Sequence, residues 1–245
     1  MWIKEVTRTL LLFGGYCMYN NRKSKIIYYH DLYSDIKYTS MATCTRVFLE
    51  HISLAKKAGY SIVKNITDSE GQIAIMFDDG FRGLWDNRDI FTKNNIYPTV
   101  FIAQSLVGKE GYLSEDEILQ LSNEGWKFES HSVSHKSLWD CSNEEIIIEI
   151  VNSKSYVEKL LGKEVDGFCA PKGRFSKYAI MIAKEAGYKF FYSSTPGDYN
   201  QIILDDNFVK TRILAQSLNK QQFWLSIRGG AKIFTFNHLN KRYRE

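Results

Sequence analysis

From residue 25 onward, short apolar runs rich in β-forming residues alternate with longer stretches in which apolar positions recur every three or four residues. The short runs predict strands at 25–29, 73–77, 99–102, 127–129, 167–169, 190–192, 209–212 and 232–236. Two of the helix starts between them are explicit. Ser114 and Ser142 each precede a glutamate by three residues, so that side chain and backbone cap one another reciprocally. Leu113 and Ile118 flank the first of these as a hydrophobic staple. Gly59, Gly125, Gly162 and Gly187 each close a helical run, where a left-handed residue ends a helix at least cost. Strands alternating with crossover helices predict an α/β fold with a parallel sheet covered on both faces. With seven or eight units, such a sheet closes into a barrel whose strand C-termini form the active face.

A chain of 245 residues fits one such domain, and none of its three prolines lies in a linker-like stretch. We therefore expect an N-terminal helical extension over residues 1–24 and a single domain over 25–245. The apolar stretch from Thr9 to Tyr19 is shorter than the roughly 20 residues needed to span a bilayer. Glu5 interrupts its basic start and no small-x-small cleavage site follows, so it reads as an amphipathic helix or a peripheral membrane contact of a cytoplasmic protein.

A hydrophobic fraction of 44% with 24% charged residues excludes disordered and fibrous classes. The net charge of +4 is too small and too evenly spread for a nucleic-acid binder. The four cysteines form no CxxC pair and read as free thiols.

Candidate chemistry collects at predicted strand ends. The strand at 73–77 runs into Asp78-Asp79-Gly80, which by itself reads as a turn. The strand at 127–129 runs into Ser130 and then His131-Ser132-Val133-Ser134-His135, two of the chain's five histidines. Four residues apart on a helical turn, both imidazoles would point the same way. The predicted strand at 232–236 leads to Asn237-His238, by itself a surface histidine, but beside the other two segments a group able to protonate a leaving amine. Two imidazoles with the Asp79 carboxylate suit a borderline divalent ion such as zinc and leave a position for water. An unligated second carboxylate, Asp78, is what a hydrolase needs to take that water's proton.

In order and spacing, these segments resemble the polysaccharide deacetylases of carbohydrate esterase family four, the nodulation-type deacetylase domain, over roughly Lys25 to His238. Phe77-Asp78-Asp79-Gly80 resembles the first family motif and His131 to His135 the second. Pro171 with Gly173 resembles part of the third, and Phe236-Asn237-His238 the last. Thr99 to Ile102, Ser130, Ala186-Gly187-Tyr188 and Tyr29-His30 add to the likeness.

The resemblance implies a distorted (β/α) barrel of seven parallel strands with outer helices. It implies a metal held by Asp79, His131 and His135, zinc first, with cobalt, nickel or manganese as alternatives. Asp78 would be the catalytic base and His238 the acid. The implied reaction removes N-acetyl groups from an amino sugar in a polysaccharide, oligosaccharide or sugar-linked precursor of bacterial surface polysaccharide metabolism. The N-terminal stretch adds a peripheral membrane or lipid-linked substrate contact.

The chain departs from the pattern at Cys169, where many members carry an arginine that orients the base. Arg212 or Arg174 would replace it, although either also reads as a surface ion pair; Arg212 ranks first because it ends a predicted strand. Lys172 replaces an aromatic residue and reads as a contact for a phosphate or carboxylate. His30 and Asp31, after the first strand, read as turn or core hydrogen-bonding groups. Cys169 also motivates an alternative, a catalytically degenerate carbohydrate-binding protein. A metal hydrolase acting on a non-sugar amide or ester is the other.

Overall fold

The computed structural model describes residues 2–245. At its centre lies a parallel sheet of β1 (Lys25–Tyr29), β2 (Ser61–Val63), β3 (Gln72–Phe77), β4 (Thr99–Ile102), β5 (Lys127–Ser130), β6 (Gly167–Cys169), β7 (Phe190–Tyr192), β8 (Val209–Lys210) and β9 (Ile213–Leu214). The order is β8-β7-β6-β5-β4-β3-β1-β9, and β2 pairs with the first half of β3. Only Thr211 and Arg212 separate β8, which pairs with β7, from β9, which pairs with β1. One run, Val209 to Leu214, thus joins both ends of the curled sheet. Counted as a single stave, and with the short β2 left off the main path, it makes a seven-staved, distorted (β/α) barrel of the kind expected.

Seven helices are labelled in order: α1 (Trp2–Tyr19), α2 (Thr45–Lys57), α3 (Glu115–Asn123), α4 (Asn143–Leu161), α5 (Lys177–Glu185), α6 (Lys220–Ile227) and α7 (Thr235–Asn240). Both predicted capping boxes form, Ser114 with Glu117 and Ser142 with Glu145. Strands buried on both faces read as continuous apolar runs because they feed two cores. Ile26, Tyr28, Ala74, Met76, Phe101, Cys169 and Tyr192 fill the barrel interior. The alternate residues Ile27, Tyr29, Ile75 and Phe77 pack outward under the helices, against Phe48 and Phe91.

The strand expected at 232–236 does not form. Gly230–Phe234 is a 3₁₀ turn that leads into α7. The physical reason is that Val209 to Leu214 already occupies both edges of the sheet, leaving no open edge for an eighth stave. Phe236 is 74% exposed, which a stave buried on both faces would not permit. The turn packs instead against α1. Gly15 and Gly230 make that approach close, since a Cβ on Gly15 would lie 2.3 Å from the Gly230 carbonyl oxygen.

Candidate active site

The C-terminal ends of β3, β5, β6 and β7 and the β8–β9 seam converge on one cleft of about 880 Å³. Asp78, Asp79, His131, His135, Arg212 and His238 all line it. Five of these six form a connected cluster.

Asp78 leaves β3 with its N–H donating to the Tyr29 carbonyl at 3.0 Å. Asp79 then takes a left-handed φ of 73°, an uncommon conformation for a residue with a Cβ, which turns its carboxylate away from that of Asp78. Asp79 Oδ1 lies 3.0 Å from His135 Nε2 and 3.3 Å from His131 Nε2. His131 Nδ1 donates to the Cys169 carbonyl at 2.8 Å, so its Nε2 presents a lone pair toward the cleft. Asp79 Oδ1 is buried and accepts no hydrogen bond. A carboxylate oxygen and imidazole lone pairs repel at this range unless a cation lies among them, and one carboxylate with two imidazoles is a donor set suited to zinc. The three ligand atoms lie within 4.8 Å of one another.

The histidines do not converge by helical spacing, as the sequence suggested. Residues 131–135 form a bent loop in which Ser132 and His135 have φ of 71° and 59°. Glu149 of α4 holds the bend: one carboxylate oxygen accepts from the N–H groups of Val133 and Ser134, at 2.9 and 2.8 Å, and the other from the Ser134 hydroxyl at 2.5 Å. Ser132 Oγ accepts from the His135 N–H at 3.1 Å. Sequence reasoning missed Glu149, although it sits on the stripe of Ile146, Ile150, Ser153 and Val157 that α4 buries. A carboxylate on a buried helical face was the available signal.

Arg212, at the seam, grips Asp78 with two parallel hydrogen bonds, Nη1 to Oδ1 at 2.6 Å and Nη2 to Oδ2 at 2.9 Å. Its Nε donates to the Ser193 carbonyl at 2.9 Å, and the guanidinium lies over the Tyr28 ring at 4.1 Å. Burial alone would push the Asp78 carboxyl up, but the Arg212 charge and hydrogen bonds bring it below the usual range. Cys169 Sγ lies 3.0 Å from Arg212 Nη2, a buried thiol whose pKa burial raises. Arg174 is exposed and lies over Trp139, so of the two candidate arginines it is Arg212 that contacts Asp78.

His238 reaches the cleft from α7 rather than from a strand end. Its Nδ1 is buried without a partner, and burial, with Arg242 and Lys241 nearby, lowers its pKa to about 4. His30 also lines the cleft, its Nδ1 2.6 Å from Gln216 Oε1, whereas Asp31 points into the core.

A family model described as polysaccharide deacetylase matches residues 65–191. The Bacillus subtilis protein YxkH, named as a polysaccharide deacetylase, is 23% identical over 143 residues, covering 58% of this chain and 51% of its own length. The Bacillus cereus peptidoglycan-N-acetylglucosamine deacetylase is 29% identical over 133 residues, covering 54% of this chain and 60% of its own. The chain thus spans about half the length of the curated relatives it matches. Among solved structures, the Streptococcus pyogenes deacetylase PplD shares the fold with a TM-score of 0.71 at 18% identity, over 84% of this chain and 98% of that one.

Proposed function

Because this chain belongs to the polysaccharide deacetylase family, we propose that it is a metal-dependent hydrolase removing N-acetyl groups from an amino sugar in a polysaccharide, oligosaccharide or sugar-linked precursor of bacterial surface polysaccharide metabolism. The observation that carries this reading is the ionised Asp78, fixed by Arg212 beside the Asp79, His131 and His135 cluster.

Asp79, His131 and His135 would hold the metal, zinc first. Bound there, a divalent ion supplies Lewis acidity and a water acidified toward neutrality. Each Asp78 oxygen keeps a lone pair beyond the one Arg212 uses, so Asp78 accepts the proton of the attacking water without releasing its partner. His238 rests neutral, because its pKa lies near 4. It therefore takes a proton from solvent only as negative charge develops in the cleft and passes it to the departing sugar nitrogen, and Asp78 returns the water's proton to solvent. Water adds to the acetyl carbonyl, the C–N bond breaks, and acetate and free amine leave.

The degenerate reading rested on Cys169, and Arg212 supplies from the seam what that position lacks. The reading also sets α1 against a lipid surface. Val6, Leu10, Phe13 and Met18 are exposed along it, and no helix among the described residues is long and apolar enough to cross a membrane. The test is acetate release from a panel of N-acetylated sugars and non-sugar amides, with and without chelator, beside metal analysis. Chelator-sensitive release from amino sugars is expected. Release from the non-sugar amides alone, or none despite bound metal, overturns the reading.

A further inference from the structure

The cavity that holds the catalytic groups is also lined by a cluster of apolar side chains. Its lining includes Leu214, Leu218, Ala231 and Phe234, with Gln216 and Ser226 as the polar breaks, and α1 adds Leu11 and Leu12. At about 880 Å³ the cavity is of the size that encloses a drug-sized ligand. A sugar chain extended along this stretch would leave hydroxyls unpaired against hydrocarbon. An aliphatic chain gains instead, by about fourfold in affinity for each methylene removed from water.

The charged residues of the lining point to the linking group. Lys4 and Arg8 stand on α1, and Lys172 and Arg242 belong to the loop after β6 and the segment after α7. Arg8 reaches the Ser217 hydroxyl at 3.1 Å, and Arg242 donates to the Lys172 carbonyl. Lys4 and Lys172 form no ion pair among the described residues. The only carboxylates in the lining are Asp78, matched by Arg212, and Asp79, turned to the two histidines. The remaining field is cationic and favours an anion, the role Lys172 suggests by standing where an aromatic residue was expected.

Resting on the deacetylase reading, we infer that the substrate is an amphiphile: an N-acetylated amino sugar joined through phosphate to an aliphatic chain. The sugar lies at the histidine end, the phosphate among these cations and the chain under α1.

The experiment compares four N-acetylglucosamine compounds on the full zinc-loaded chain: a tetramer, a decyl glycoside, a decyl phosphodiester and a uridine diphosphate sugar. In parallel, calorimetry measures decyl phosphate binding to the wild type, Leu11→Gln and Lys172→Ala. The phosphodiester should exceed the tetramer in kcat/KM by about 100-fold or more, and each substitution should weaken decyl phosphate by roughly 10-fold. A tetramer or nucleotide sugar turned over as well as the phosphodiester overturns the inference. So does decyl phosphate binding equally to all three proteins, or a decyl glycoside matching the phosphodiester. Absence of acetate from every compound sinks the deacetylase reading instead, and the binding comparison still decides whether the cavity holds a phosphorylated chain.

Discussion

Arg212 holds Asp78 from the seam where the barrel closes. Both Asp78 oxygens accept from the guanidinium, at 2.6 and 2.9 Å. The arginine is fixed in turn by the Ser193 carbonyl and the Tyr28 ring. Because Thr211 and Arg212 are the step between β8 and β9, strand switching places the side chain inside the barrel mouth. Cys169, on the facing strand, is left with only a small thiol to pack against the same guanidinium. The arginine–aspartate pair is thus present with its cation supplied from a different stave.

Removing either partner should separate binding from turnover. Asp78→Asn should keep the metal and lower kcat by about 100-fold or more, since the general base is gone and the ligands are not. Arg212→Met should leave a buried carboxylate unpaired, destabilising the fold by about 3–5 kcal/mol. Arg212→Lys keeps a charge but loses the two-point grip. Arginine lowers the Asp78 pKa against burial, so weakening it lets that value rise and the acid limb of the kcat/KM profile move to higher pH. A limb that stays in place in Arg212→Lys would refute the pairing's role in keeping the base ionised.

Glu149 should control metal affinity without touching the metal. Its carboxylate satisfies two backbone N–H groups and a hydroxyl of the loop that carries both histidines, and that loop includes two left-handed residues. Released, Ser132 and His135 have less to keep them in that strained conformation. Glu149→Ala should weaken zinc by roughly 10–100-fold, the range of supporting groups behind metal ligands. Glu149→Gln should fall between, because one amide oxygen can still accept. Competition titration against a chromogenic chelator reads this directly, and an unchanged zinc affinity with folding intact would remove Glu149 from the site.

Much of this arrangement could be read from the residues, and what could not has physical causes. Strand positions 25–29, 99–102, 167–169 and 190–192 came through because residues buried on both faces leave an unbroken apolar signature. Gly59, Gly125, Gly162 and Gly187 all show the positive φ expected of helix stops. The apolar content of 232–236 gave the wrong element because periodicity in a short run does not distinguish a strand from a buried turn; what decided it was the lack of a free sheet edge. The His131 to His135 pair was found for an incorrect reason, since a loop and not a helix turns the rings together. Arg212 was legible as a strand-end cation; Glu149 showed only as a carboxylate on the buried stripe of α4, and that signal does not say which loop it holds.

The exposed stripe of α1 makes the membrane proposal measurable. Leu10 and Phe13 are 66% and 53% exposed, so replacing both with glutamate should cost the fold little. It removes apolar area and places negative charge where an anionic surface would lie. Sedimentation with vesicles rich in phosphatidylglycerol should carry down the native chain and about tenfold less of the variant. Equal sedimentation of the two proteins would detach α1 from any lipid role.

Burial holds two groups neutral, raising the pKa of one and lowering that of the other, so their contributions to stability slope in opposite directions and offset each other between about pH 4 and 6.5. Burial raises the Asp31 pKa to about 7, with one carboxylate oxygen accepting from the Leu32 N–H and the other unpartnered. The folded chain then holds that proton more tightly than the unfolded one, so the contribution is complete near pH 4 and is lost as pH climbs through 7. Burial lowers the His51 pKa to about 4, between the Tyr29 hydroxyl and the Leu218 carbonyl and stacked on Phe223. Here the unfolded chain takes the proton first, so stability is complete above about 6.5 and is lost as pH drops toward 4. Asp31→Asn should therefore raise Tm at pH 8 by several degrees, about 2–4 °C for each kcal/mol recovered, and change little at pH 4.5. His51→Gln should lower Tm at pH 7 by breaking the Tyr29 and Leu218 bonds, and should leave the Asp31 slope unopposed, so that Tm falls as pH rises from about 4.5 to 6.5. A Tm profile for Asp31→Asn parallel to the native one at every pH would show that Asp31 is not the group titrating.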